Sequence, residues 1–196
     1  MGEPGAIFPQ PPPGLRLGPS WIARSIGNLY LRFGGWRMEG QFPEQQKFVI
    51  AVAPHSSNWD FALGLAVKFS LRMKVSWLGK HTLFKGPFGA LLRRLGGIPV
   101  DRGASHGVVG DCIQAFANSP AMMLALAPEG TRKAGRKWRS GFYQIALGAG
   151  VPIFPVGFDY GRRVIHFFPV FLPTRDYEAD LPRLLALFQD VRPLKD

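Results

Sequence analysis

Short apolar, β-branched runs alternate along this chain with segments whose apolar residues recur at helical spacing. This alternation restricts the fold more than any other feature. The runs KFVIAVA (residues 47–53), KVSWLG (74–79), GIPVDR (97–102), AMMLALAPEG (121–130), VPIFPVGFDY (151–160) and RRVIHFFPVFLP (162–173) read as strands. Between and after them lie SNWDFALGLAVKFSLRM (57–73), PFGALLRRLG (87–96), SHGVVGDCIQAFANS (105–119), GFYQIALGAG (141–150) and YEADLPRLLALFQDV (177–191), which read as helices. In the third of these, Val108, Val109, Cys112, Ile113 and Phe116 share one face. Strands alternating with helices predict a single α/β domain with a largely parallel central sheet flanked by helices. At 196 residues the chain is one domain's length and can bury about two thirds of its unfolded surface.

The N-terminal nineteen residues carry six prolines, which predicts a disordered or polyproline-like lead over 1–19. They lack the basic and apolar regions of a signal peptide, and Ala6 stands where a myristoylation pattern needs Ser or Thr. Residues 20–37 predict an amphipathic helix. Ile22, Ile26, Leu29, Phe33 and Trp36 form its apolar stripe, with Arg24, Asn28 and Arg32 roughly opposite, although Gly27, Gly34, Gly35 and Leu31 run against the pattern. Such a stripe either packs on the domain core or lies in a membrane interface. Residues 38–196 form the main domain on this reading. The uncharged stretch 140–158 approaches a membrane span in length, but Pro152, Pro155 and its glycines divide it into helix, turn and strand.

A net charge of +11 favours anionic partners. One cysteine, Cys112, excludes an intrachain disulfide and suits a reducing compartment. No histidine has a metal-ligand partner at useful spacing, so no metal is expected. GTRKAGRK (130–137) has the glycine spacing of a phosphate-binding loop but not its Lys-Ser/Thr ending. The cluster Arg132, Lys133, Arg136, Lys137 and Arg139 around Trp138 could grip nucleic acid through phosphates and one stacking ring, yet no nucleic-acid module accompanies it.

The chemistry concentrates where a strand gives way to a helix, in PHSSNWD (residues 54–60). Ser57 and Asp60 have capping-box spacing, which alone accounts for Asp60. His55, one turn away, adds a second reading. An imidazole with an orienting carboxylate is a general base near neutral pH. No G-x-S-x-G elbow supplies a protein nucleophile, so the pair would deprotonate a hydroxyl on a substrate.

His55-Ser-Ser-Asn-Trp-Asp60, GGIPVDR (96–102), PEGTR (128–132) and VPIFPVG (151–157) resemble, in order, the four blocks of the glycerolipid acyltransferase family, which includes 1-acylglycerol-3-phosphate and other lysophospholipid acyltransferases. The resemblance implies an O-acyltransferase of phospholipid biosynthesis, with His55 as general base and Asp60 as its partner. It assigns the acceptor phosphate to Arg102, Glu129, Gly130, Thr131 and Arg132. It also implies a direct attack on the thioester of acyl-CoA or acyl carrier protein, used as co-substrate with no bound cofactor. The chain departs from the common pattern at Pro54, before the histidine, and at Pro99 and Val100 in the second block. Lysophosphatidic acid is the expected acceptor; a lyso-ornithine lipid or glycerol-3-phosphate are the alternatives within the class, and a basic nucleic-acid-binding protein is the alternative outside it. The expected location is the cytoplasmic face of a membrane, held peripherally through an anionic lipid surface.

Overall fold

The computed structural model describes residues 9–18, 20–100, 107–130 and 137–194. Among these residues seven strands form one sheet: β1 (Arg37–Gly40), β2 (Lys47–Ala53), β3 (Val75–Lys80), β4 (Gly97–Val100), β5 (Met122–Leu126), β6 (Ile153–Asp159) and β7 (Val164–Phe167). Their spatial order is β1-β7-β6-β2-β5-β3-β4. From β6 to β4 all neighbours are parallel, and β7 turns back antiparallel on β6. The helices are α1 (Trp21–Phe33), α2 (Trp59–Ser70), α3 (Pro87–Arg94), α4 (Gly107–Asn118), α5 (Gly141–Ala149) and α6 (Tyr177–Ala186). The expected α/β domain with a largely parallel sheet is thus observed.

The central strands are apolar on both faces because both faces are covered. In β2, Phe48 and Ile50 enter a core with Leu63, Ala66 and Val67 of α2, while Val49, Ala51 and Ala53 enter a second core with Phe142, Tyr143 and Ile145 of α5. The helices α2 and α5 therefore leave opposite faces of the sheet from the adjacent strands β2 and β5. A crevice at the carboxyl ends of such strands is the usual ligand position in open α/β sheets.

Three local features differ from the expectations. Residues 9–18 are not a disordered lead: Pro13–Leu15 form a 3-10 turn, Leu17 N–H donates to Arg72 O at 2.6 Å, and Leu15 is fully buried. One leucine inserted in the core outweighs the local proline bias. The strand β1 begins where the helix was expected to end and pairs parallel with β7. Its partner lies more than a hundred residues away, so no local pattern marks it.

The third difference concerns α1. Gly27 and Leu31 are its buried residues, and Ser70 Oγ donates to Asn28 Oδ1 at 2.6 Å. A Cβ on Gly27 would lie 2.5 Å from Ser70 N and 2.6 Å from Ala66 O, so glycine is what permits the close approach to α2. The helix therefore docks through the side expected to be polar. Ile22, Ile26, Leu29 and Phe33 face outward, Phe33 being 83% exposed. At its end, Trp36 N–H donates to Leu31 O and Gly35 N–H to Arg32 O, with Gly35 at φ +67°, a Schellman stop.

Candidate active site

His55 stands in the loop between β2 and α2, and Asp60 in the first turn of α2. His55 Nδ1 lies 3.1 Å from Asp60 Oδ2. The same oxygen accepts the backbone N–H groups of Ser56 at 2.9 Å and Ser57 at 2.8 Å. Asp60 is therefore both a helix-start acceptor and a hydrogen-bond partner of the histidine ring. Ser57 completes the turn by accepting the Trp59 N–H at 3.2 Å. Burial pushes the Asp60 carboxyl up, but hydrogen bonds from His55, Tyr160 and Ser57 outweigh it and hold the pKa below the ordinary value. The imidazole is partly open, its side chain 23% exposed against 1% for Asp60. With Nδ1–H directed at the carboxylate, Nε2 carries the free lone pair.

Glu129 follows β5 and turns inward. Its Oε1 accepts the His55 N–H at 3.2 Å, and burial raises its pKa. In this position it anchors the histidine loop instead of presenting a carboxylate to an incoming phosphate, which like charge would disfavour. Gly130 is next, at φ +66°, a conformation that a side chain would strain. The guanidinium of Arg139 packs against this turn, and Arg139 N–H donates to Pro128 O at 2.9 Å. Arg102, Thr131 and Arg132 lie outside the described residues, as does His106.

One participant was not anticipated. Tyr160 follows β6, and its hydroxyl donates to Asp60 Oδ1 at 2.7 Å. It stands three residues beyond the fourth sequence block, at the carboxyl end of the strand beside β2, and that position is the signal that could have found it. Its ring meets Trp36 edge-on at 5.0 Å. Both rings wall a groove of about 770 Å³ with Ile26, Leu29, Phe33 and Trp59. An apolar groove thus adjoins the His–Asp pair through Tyr160.

Other sequence candidates are placed elsewhere. Trp138 is buried against Phe142 and Phe188, so its ring is not free to stack on a nucleic-acid base. Cys112 is a core residue, and burial together with Asp111 pushes its thiol up to about 11. His166 lies 3.9 Å from both Glu39 and Asp159, a neighbourhood that linear spacing did not reveal. Among the described residues no group of His, Cys, Asp and Glu could hold a metal ion, and no helix is long and apolar enough to cross a membrane.

The Acyltransferase family model matches residues 37–159, a span that holds His55, Asp60 and Glu129 and ends one residue before Tyr160. The 1-acyl-sn-glycerol-3-phosphate acyltransferase of Haemophilus influenzae is 30% identical over 145 residues, covering 69% of this chain and 58% of the relative. The Escherichia coli protein of the same name is also 30% identical over 145 residues, covering 67% of this chain and 58% of its own length. The chain spans under three fifths of the curated relatives it matches. The solved structure of the 1-acyl-sn-glycerophosphate (LPA) acyltransferase PlsC from Thermotoga maritima shares the fold, with a TM-score of 0.61, 18% identity, and coverage of 89% of this chain and 79% of that one.

Proposed function

The chain belongs to the Acyltransferase family, and from that premise we propose that it transfers an acyl group from a thioester to the free hydroxyl of a lysophospholipid, 1-acylglycerol-3-phosphate being the acceptor its relatives' names favour. The observation that carries the proposal is the 3.1 Å pairing of His55 Nδ1 with the buried Asp60 carboxylate, beside an apolar groove. His55 Nε2 takes the hydroxyl proton as the oxygen attacks the thioester carbonyl. The tetrahedral intermediate then collapses, the C–S bond breaks, and the departing thiolate receives the proton from the imidazolium. Asp60 stabilises that imidazolium and fixes its tautomer. No protein nucleophile is needed, in keeping with the buried, high-pKa Cys112.

The groove suits hydrocarbon of one of the two lipid-bearing substrates. Arg102, Gly130, Thr131 and Arg132 hold the acceptor phosphate on this reading, as guanidinium forks and exposed backbone can. The donor is acyl-CoA or acyl carrier protein, and no further cofactor takes part. The outward apolar side of α1, with Trp21 78% exposed and Arg24 and Arg32 nearby, supports peripheral docking on the anionic cytoplasmic face of a membrane. The test is thiol release from acyl-CoA or acyl carrier protein. Release that depends on added lysophosphatidic acid is the expected result. A panel with lyso-ornithine lipid and glycerol-3-phosphate separates the acceptors, and no release with any acceptor overturns the proposal.

A further inference from the structure

Asp60 offers two carboxylate oxygens to four donors, and they are divided unequally. Among the described residues, Oδ2 takes the His55 ring and two backbone N–H groups, while Oδ1 takes only the Tyr160 hydroxyl. Without that fourth bond, nothing described would hold Oδ1. Tyr160 comes from the far side of β2, a hundred positions along the chain, and its own ring is fixed edge-on by Trp36. We propose that Tyr160 is a positioning residue, one that locks the Asp60 carboxylate and tempers its charge, so setting how strongly Asp60 supports a proton on His55.

A hydrogen bond to one carboxylate oxygen draws charge from the other, and such charge-assisted bonds are about twice as strong as neutral ones. A fully committed carboxylate also has one orientation, which keeps Oδ2 aimed at Nδ1. Tyr160 is suited to be a permanent donor: burial, then its bond to Asp60, raise the phenol's pKa well above its ordinary value. Among the described residues the groups facing the network are few. Glu129 approaches His55 from the loop after β5, Tyr30 faces Tyr160 from α1, and Arg163 lies on the groove wall with Nη1 donating to Gly34 O at 2.8 Å. None of these bonds to Asp60, so the tyrosine acts on the carboxylate directly.

The inference depends on the acyltransferase reading for its kinetic consequence and stands apart from it in its titration. The variant is Tyr160→Phe in the full chain, which keeps the ring against Trp36. The His55 ring is followed by ¹⁵N-imidazole NMR, assigned by its loss in His55→Ala. Removing the donor leaves Asp60 more negative, so the His55 titration and the acidic limb of the kcat/KM profile both move to higher pH. The limiting kcat falls about tenfold, the equivalent of one lost hydrogen bond to a charged group. Unchanged titration in a folded variant overturns the inference. Should Tyr160→Phe fail to fold, 3-fluorotyrosine placed at position 160 is a stronger donor and moves the titration to lower pH; no movement there overturns it equally. If the wild-type chain releases no thiol, the functional reading fails, while the imidazole titration still judges the role of Tyr160.

Discussion

Replacing Asp60 by asparagine separates the two duties of this carboxylate. Oδ2 faces three donors and Oδ1 one hydroxyl, which can also accept. An asparagine side chain therefore has one good orientation, with its oxygen in the Oδ2 position and its amide donating to Tyr160. Every hydrogen bond survives, including the one that fixes the His55 tautomer, and only the negative charge is lost. Charge-assisted bonds become neutral ones, at a cost of about 1–3 kcal/mol in stability at neutral pH. In the proposed transfer the imidazolium would lose its counter-charge, and the rate should fall by about 10² to 10⁴, the usual span for general-base assistance. That equals about 2.7–5.4 kcal/mol of lost transition-state stabilisation. Thiol release at saturating acceptor gives the rate, and denaturant unfolding gives the stability. A folded Asp60→Asn variant with wild-type kcat would leave Asp60 as a helix cap alone.

Gly27→Ala should destabilise by about 1–3 kcal/mol, because the new methyl meets the Ser70 and Ala66 backbone; helix propensity alone would make the same change stabilising, so the sign of the shift in chemical denaturation decides. Glu129→Gln should keep activity near wild type, since its amide oxygen can still accept the His55 N–H, whereas Glu129→Ala frees the loop and should lower kcat; equal behaviour of the two would refute the anchoring role. Trp21→Ser with Phe33→Ser should leave stability within about 0.5 kcal/mol yet reduce cosedimentation with anionic vesicles several-fold, and undiminished sedimentation would give the docking to the basic surface alone. Asp180 accepts from Tyr143 and Thr174 and pairs with Arg183, and these contacts outweigh burial to depress its pKa. A depressed carboxyl stabilises the fold above the unfolded value of about 3.9 and loses that contribution as pH falls through the folded value, so Asp180→Asn should flatten the acid-unfolding profile below about pH 4.

Much of the site was legible because its central pair is local. His55 and Asp60 are five positions apart, across a strand end and the first turn of a helix, and that geometry follows from the two elements alone. Capping and histidine-partner readings could not be separated in the sequence, since both ask for a carboxylate at one place; in the structure Oδ2 meets the backbone N–H groups and the His55 ring alike. The outward side of α1 was hidden for a related reason. Periodicity showed which residues share a face, but not which face would be covered, and Gly27, which weakens a helix in isolation, turned out to be its contact with α2. Leu15 misled in the opposite direction, since proline content describes local chain preference and says nothing of a leucine reaching a distant core.

The strands from β2 onward, the helices between them and the His–Asp motif were readable in the chain because each depends on residues within a few turns of one another, and the alternation of strand and helix then implied a parallel sheet. Long-range packing was needed to show that Glu129 holds the histidine loop, that Tyr160 closes the Asp60 carboxylate, and that α1 and Tyr160 share one groove. Those contacts exist because β5 and β6 flank β2, and strand order is settled by the packing of two cores at once, an outcome that no local stretch of the chain encodes.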